Sequence, residues 1–346
     1  MKRVVRILLL LVMLLALASG VGAIAKYRAD QSYYDGYDAS LALDPVVRET
    51  EQRDEYTRID FTYQSTPDSR VPTLLALPND AAKPYPCIIF LHGIGQSKSF
   101  LDEIAGYYTK SGFAITSFDQ YMRGERRIAS KDPVSQLLGL RKRTSLNVID
   151  TRRLVDYLQT RDDIAKDRIY LVGASFGAIT GCTAVAFEPR IPAAVMTYGG
   201  GNLNELLDSK AARQELGIFR APLTSLVAYI TSPSDPVKYV GKIAPRPVLF
   251  QNGEHDQLIP FAAAKALVEA AGEPKEFTVY NSDHVGVDEQ QTIQVLKDSI
   301  AWLRKQDERI VSAANPATTP DAPQAVAPVS SSASPASFPA PLASAS

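Results

Sequence analysis

The chain has 346 residues, 45% of them hydrophobic, which is enough for a substantial core in one large or two ordinary domains. Its 37 lysines and arginines nearly balance 38 aspartates and glutamates, and no basic stripe stands out, which argues against a nucleic-acid partner. The three histidines and two cysteines lack the spacing of a metal site, so we expect no metal and no cofactor. Cys87 and Cys182 are isolated, and two buried free thiols are favoured over a disulfide between them.

The first 25 residues have the features of a signal peptide. Three basic residues within positions 2–6 precede an apolar run from 7 to 18, and Ala23-Ile24-Ala25 has the small-residue pattern of a cleavage site. The alternative is an uncleaved signal anchor, because residues 7–25 carry no charge and are nearly long enough to span a bilayer. Both interpretations predict an exported protein, periplasmic or extracellular, which meets a membrane only through this segment.

The rest of the chain divides into three parts by composition. Residues 26–55 form a lead-in segment, residues 56–307 a single domain, and residues 308–346 a tail rich in proline, alanine and serine. Such a tail has too few large apolar side chains to offset the entropy of ordering, so we predict that it is disordered.

Short apolar segments alternate with helical segments throughout the central domain. This alternation predicts an α/β fold with a mostly parallel central sheet covered by helices on both faces. Residues 202–241 stand where a small cap would be inserted, and their apolar side chains suit either a lid over a site or ordinary packing. The predicted strands are 56–63 and 71–78, which lead as a pair, and 87–91, 114–118, 169–172, 193–198, 248–251 and 277–280.

The segment Gly173-Ala174-Ser175-Phe176-Gly177 lies between an apolar strand and a helical stretch of small residues. A G-x-S-x-G sequence in this context is typical of a nucleophile elbow, where a strained turn lifts the serine hydroxyl above the strand ends. The alternative for Ser175 is an ordinary helix N-cap.

A serine nucleophile needs a base, and the base needs a carboxylate to orient it. In this kind of site the chain order is serine, acid, histidine. Asp256 follows the strand at 248–251, and His284 follows the next strand, so both lie in loops at strand ends. Glu254 and Asp283 are alternative acids in less suitable positions, whereas His255 adjoins the acid too closely in sequence to act as its base.

The segment His92-Gly93-Ile94-Gly95 directly follows the strand at 87–91. Acyl transfer requires two N–H donors for the developing oxyanion, one from the residue after the nucleophile and one from a loop after an early strand. Phe176 and Ile94 are therefore the candidate donors, and His92 is a residue that fixes the loop. The alternative is a plain turn at the end of the strand.

Together these motifs resemble the α/β-hydrolase superfamily, most closely its dienelactone-hydrolase and acetyl-xylan-esterase-like branch, over residues 56–305. The resemblance implies nucleophile Ser175, acid Asp256, base His284 and oxyanion donors at Ile94 and Phe176. Dienelactone hydrolases proper use a cysteine nucleophile, so the serine here favours esters.

The expected function is an exported serine hydrolase that cleaves a small-molecule carboxylic ester through an acyl-enzyme intermediate. A serine peptidase or amidase like the catalytic domain of prolyl oligopeptidase is one alternative. A non-catalytic cell-envelope protein on a hydrolase fold is the other.

Overall fold

The computed structural model of the chain describes residues 20–208 and 220–314. Most of the predicted signal segment, residues 209–219 of the predicted cap and residues 315–346 of the predicted tail lie outside these ranges. In the part of the chain that is described, no helix has both the length and the apolar composition needed to span a bilayer.

Strands and helices alternate along the chain after an initial group of strands. The strands are β1 (Val46–Gln52), β2 (Tyr56–Thr66), β3 (Ser69–Pro78), β4 (Tyr85–Leu91), β5 (Ala114–Phe118), β6 (Ile164–Ala174), β7 (Ala194–Thr197), β8 (Val248–Gly253) and β9 (Lys275–Tyr280). The helices are α1 (residues 20–31), α2 (Leu101–Thr109), α3 (Pro133–Gln159), α4 (Phe176–Phe187), α5 (Leu203–Leu206), α6 (Arg220–Ile230), α7 (Phe261–Ala270) and α8 (Glu289–Ala314).

The described strands form one sheet in the order β1-β2-β3-β5-β4-β6-β7-β8-β9. The pairs among β1, β2, β3 and β5 are antiparallel, and every pair from β5 to β9 is parallel. The predicted α/β fold with a mostly parallel sheet is confirmed. Because parallel strands end at the same edge, the loops after β4, β6, β8 and β9 meet there.

The sheet has a hydrophobic cluster on each face. Alternate residues of β4 show this: Cys87 and Ile89 belong to one cluster, and Ile88 and Phe90 to the other. The first cluster packs against α3 and α4, and the second against α2 and α8. Both cysteines are free and buried in the first cluster, where burial raises the pKa of each thiol.

Regular secondary structure extends past the predicted limits of the central domain, residues 56–307, at both ends. The lead-in segment contains a strand, β1, whose residues are all exposed and whose register with β2 comes from main-chain pairing. The helix α1 continues across the predicted boundary between residues 25 and 26. At the other end, α8 extends to Ala314, past the predicted boundary at 307, because Ile310 still packs against the core.

Buried hydrogen bonds and a buried ion pair stabilise the charged loop after β5. The buried carboxylate of Asp119 accepts hydrogen bonds from the backbone N–H groups of Lys98 (2.8 Å) and Glu125 (2.9 Å). Arg126 forms a buried ion pair with Asp150 of α3 at 2.6 Å. Burial raises the pKa of Asp119, against the opposing effect of its two backbone donors. This loop therefore ties β5 to α3.

The helix α4 begins in direct contact with the end of β4. A Cβ at Gly177 would lie 1.8 Å from the carbonyl oxygen of Leu91 and 2.9 Å from that of His92. Both opposing atoms are backbone atoms, so neither can rotate away. Only glycine at this position allows the start of α4 to approach β4 this closely.

We predict that Gly177→Ala lowers the free energy of unfolding by about 3 kcal/mol or more, because the added methyl group forces two main-chain segments apart. Urea unfolding followed by the fluorescence of Trp302 measures this change. Gly95→Ala is the matched control, since a Cβ at Gly95 meets nothing within 4 Å. An equal loss of stability in the two variants would contradict the steric explanation.

Candidate active site

Ser175 occupies a strained turn between β6 and α4. Its φ of 56° and ψ of −119° lie outside the regions that L-residues ordinarily adopt. Glycine is required on both sides: a Cβ at Gly173 would lie 2.5 Å from the carbonyl oxygen of Gly177. Although Ser175 stands at the N-cap position of α4, its side chain makes no capping hydrogen bond. The Ser175 hydroxyl therefore does not serve as a helix cap.

The side chains of Ser175, His284 and Asp256 form a hydrogen-bonded row. Ser175 Oγ lies 2.9 Å from His284 Nε2, and His284 Nδ1 lies 2.6 Å from Asp256 Oδ2. A carboxylate can only accept, so Nδ1 carries the proton and Nε2 is left to accept from the serine hydroxyl. The second oxygen of Asp256 accepts from the backbone N–H groups of Leu258 and Ile259, at 2.8 and 2.9 Å.

Main-chain contacts between two loops hold this row together. The loop after β8 carries Asp256, and the loop after β9 carries His284. The N–H of Glu254 donates to the carbonyl of Tyr280 at 2.9 Å, and the N–H of His255 donates to that of Ser282 at 3.1 Å. The two loops therefore continue the pairing of β8 with β9 beyond the ends of these strands.

The alternative acids and base have other partners. Asp283 accepts through Oδ1 from the backbone N–H groups of Gln257 (2.9 Å) and His284 (2.7 Å). The side chain of His255 is exposed and lies 3.6 Å from Glu254. Of these groups, the structure brings Asp256 to the imidazole of His284.

The two candidate oxyanion donors come from different segments next to Ser175. Phe176 follows Ser175 and is the first residue of α4. Ile94 belongs to the loop after β4. This loop is close to Ser175, because a Cβ added to Gly93 would lie 3.6 Å from the Cβ of Ser175. Among the described residues, no group of the protein accepts a hydrogen bond from either N–H. Both N–H groups therefore remain candidate oxyanion donors.

His92 lies under this loop and is completely buried. Its Nδ1 is 2.9 Å from the carbonyl oxygen of Gly93, and its own carbonyl accepts from Gln120 Nε2 at 2.6 Å. Gln120 is held in turn by Asn147 of α3 at 3.0 Å. Burial lowers the pKa of His92 to about 4, so the ring is neutral in the physiological range. These contacts fix the loop that carries Ile94.

Two residues near the site were not identified from the sequence. The ring of Tyr198 contacts His284 edge to face with a centroid separation of 5.6 Å, and the Tyr198 hydroxyl lies 2.6 Å from Ser282 Oγ. In the sequence, Tyr198 stands out only as the last residue of the predicted strand 193–198, directly before three glycines. The buried guanidinium of Arg143 lies 3.8 Å from the ring centre of Phe176, and burial together with Arg123 lowers its pKa to about 9.

A cavity of about 840 Å³ opens beside Ser175 and His284, and the loop of Gly93 and Ile94 forms part of its wall. No described residue of the predicted cap, 202–241, lines it. The described part of that segment comprises α5, α6 and three short 3-10 turns. Within the described ranges, no group of three or more metal-ligating side chains is placed to hold a metal ion.

Comparison with protein families gives a match over two thirds of the chain. Residues 71–307 match the model of the dienelactone hydrolase family. The relatives include Esterase YjfP of Escherichia coli, 22% identical over 246 residues that cover 68% of this chain and 95% of that protein. They also include YtaP of Bacillus subtilis, 25% identical over 234 residues that cover 62% of this chain and 76% of that protein.

Solved structures share the fold at low sequence identity. Acetyl xylan esterase 1 from Thermoanaerobacterium sp. is similar with a TM-score of 0.62 and 16% identity, over 80% of this chain and 93% of that chain. A cold-adapted esterase from an Arctic intertidal metagenomic library has a TM-score of 0.56 and 16% identity, over 73% of this chain and 97% of that chain. The chain therefore belongs to the dienelactone hydrolase family of the α/β-hydrolase superfamily and is, as its sequence predicts, a hydrolase.

Proposed function

We propose that the protein hydrolyses carboxylic esters by a Ser-His-Asp triad through an acyl-enzyme intermediate. One observation supports this proposal above all others, the row in which Ser175 Oγ lies 2.9 Å from His284 Nε2 and His284 Nδ1 lies 2.6 Å from Asp256. The row stands at the edge of a cavity that could hold a substrate. The family relatives include a protein named an esterase, in agreement with this chemistry.

In the first half of the reaction, Ser175 Oγ attacks the ester carbonyl carbon while His284 Nε2 takes the hydroxyl proton. The carbonyl oxygen becomes an oxyanion, which the N–H groups of Ile94 and Phe176 stabilise. As the tetrahedral intermediate collapses, the bond to the leaving oxygen breaks, and His284 returns the proton to that oxygen. Asp256 keeps the imidazole oriented and stabilises its charged form.

In the second half, a water molecule takes the place of the departed alcohol. His284 removes a proton from this water, which attacks the acyl carbon and forms a second oxyanion at the same two donors. Collapse releases the carboxylic acid and returns the proton to Ser175. The positions of Tyr198 against His284 and of Arg143 against Phe176 support a role for both as positioning residues.

We also propose that the protein is exported. The support is the sequence of residues 1–25, with its basic start, uncharged apolar run and small-residue site. Cleavage after Ala25 would make Lys26 the new N-terminus. The Lys26 side chain bonds to Ser232 Oγ at 2.8 Å, so this residue is already held by the domain.

We expect a fluorophosphonate probe to label the wild-type chain and not Ser175→Ala, because only an activated serine reacts at a useful rate. In-gel fluorescence and peptide mapping measure the labelling. Ser99→Ala is the matched control, since Ser99 is an exposed serine in the segment between β4 and α2 and its loss should leave labelling unchanged. A folded wild-type protein that never reacts would favour the non-catalytic alternative.

Asp256→Asn should lower kcat for a p-nitrophenyl ester on the order of 10³- to 10⁴-fold, since an amide no longer holds the productive tautomer of His284. Asp283→Asn is the control, because an asparagine at this position keeps a side-chain oxygen that can accept from the N–H groups of Gln257 and His284. The Asp283→Asn substitution should lower kcat by less than about tenfold. If the two variants lose activity equally, the assignment of Asp256 as the acid is wrong.

A matched pair of substrates separates the ester from the amide proposal. We expect kcat/KM for a p-nitrophenyl ester to exceed that for the p-nitroanilide of the same acyl group by at least about 10³-fold, because the amine is the poorer leaving group. Comparable rates on the two would favour a peptidase or amidase.

Export is tested in intact cells. We expect the chain outside the cytoplasm, with Lys26 as its first residue if the signal is cleaved, or in the membrane fraction if it is retained. Leu10→Arg should block export, because it places a charge within the apolar run. Fractionation and N-terminal mass spectrometry measure both outcomes, and a full-length chain in the cytosol of wild-type cells would overturn the proposal.

A further inference from the structure

The cavity beside Ser175 is much larger than an acetyl group needs. Its volume of about 840 Å³ lies within the range of roughly 300–1,000 Å³ found for pockets that enclose ligands of drug size. Residues of α2 and α8 line it together with Ser175, and the exposed side chains of Leu258 and Val287 belong to its lining. An acetyl ester would leave most of this space filled by water.

Most of the residues that line the cavity are apolar. The rings of Phe90 and Phe100 stack there with their centroids 5.9 Å apart. Ile104 of α2 lines the cavity from one helix, and Ile293 and Leu296 line it from α8. Apolar walls next to a nucleophile favour an apolar substituent of the substrate, since its transfer from water is favourable in proportion to the area buried.

The charges around the cavity have one sign. Apart from the titratable His284, the charged side chains on its lining are Glu103 and Glu289, and both are exposed. In the described parts of the chain, neither glutamate forms an ion pair, and no lysine or arginine lines this cavity. A substrate carboxylate entering here would meet two negative charges and no positive one, which disfavours anionic substrates.

We propose that this cavity binds the acyl part of the substrate, that it selects uncharged acyl groups considerably longer than acetyl, and that Glu103 and Glu289 reject acyl groups that end in a carboxylate. This inference rests on the proposed esterase function. It adds the substrate class, which neither the family nor the solved structures with the same fold supply.

Filling the cavity tests the length selection. For p-nitrophenyl esters, we expect wild-type kcat/KM to rise at least tenfold from the acetyl to the octanoyl ester. Ile293→Trp should lower this octanoyl-to-acetyl ratio at least tenfold, because the indole occupies the space of the distal carbons. Ile310→Trp is the matched control on the same helix: it faces a second cavity, of about 360 Å³, that Ser175 does not line, and it should leave the ratio unchanged.

Reversing a charge tests the rejection of anions. We expect wild-type enzyme to prefer the p-nitrophenyl ester of hexanoic acid over the mono-ester of adipic acid, which has six carbons and a terminal carboxylate, by at least tenfold. Glu103→Lys should reduce this preference about tenfold at low salt, and the reduction should shrink in 1 M NaCl. Glu269→Lys is the control, because Glu269 is an exposed glutamate of α7 that does not line the cavity.

The possible failures are distinguishable. If the wild-type chain neither reacts with a fluorophosphonate nor cleaves any ester, the proposed function fails, and this inference fails with it. If the chain is labelled but prefers the acetyl ester, the esterase proposal stands and the acyl-site inference is wrong. The inference is also wrong if Ile293→Trp slows all chain lengths equally, or if the adipate and hexanoate esters react at the same rate.

Discussion

The contact between the start of α4 and the end of β4 is the constraint on which the site depends. No side chain larger than that of glycine fits at residue 177, because the carbonyl groups of Leu91 and His92 face it. Because α4 starts so close to β4, the chain must turn sharply after β6, and Ser175 adopts a φ of 56°. The same contact sets the first N–H of α4 opposite the loop that carries Ile94. The strained conformation of Ser175 therefore positions its hydroxyl beside the start of α4, where Phe176 is the first residue.

The parallel sheet brings the remaining groups to the same edge, and buried polar contacts keep them there. Asp256 and His284 follow neighbouring strands, so the continued pairing of β8 and β9 joins their loops. On the other side of Ser175, Asn147 reaches Gln120, which holds the carbonyl of His92. The hydrogen bonds that join Asn147, Gln120 and the carbonyl of His92 are buried, and the low dielectric there strengthens them. A rigid arrangement requires little reorganisation when charge develops on a bound carbonyl.

The lead-in segment covers a charged face of α3 that would otherwise be exposed to solvent. The Tyr37 hydroxyl lies 2.9 Å from Asp156, and its ring packs against Arg152 at 3.5 Å. Arg153 is 1% exposed, and its guanidinium pairs with Asp156. Since α3 also carries Arg143 and Asn147 towards the site, the packing of the lead-in segment stabilises the helix that supports the candidate oxyanion donors.

The sequence by itself determined the fold class, because continuous apolar strands between helices can be buried only in a covered parallel sheet. It also predicted Ser175, Asp256 and His284, because the G-x-S-x-G motif and the order of the strand-ending loops along the chain are both visible in the sequence. The sequence left Glu254 and Asp283 as alternative acids, and only the tertiary structure shows that Asp256 faces His284 and which residues support the site. Ser175 and His284 are 109 positions apart in the chain, and the contact of Arg143 with Phe176 joins two helices. Such contacts depend on how elements pack, and in the sequence Arg143 is only one cation in a basic run. The size and charge of the cavity likewise arise from the packing of α2 and α8 around one strand end, which no local pattern of residues specifies.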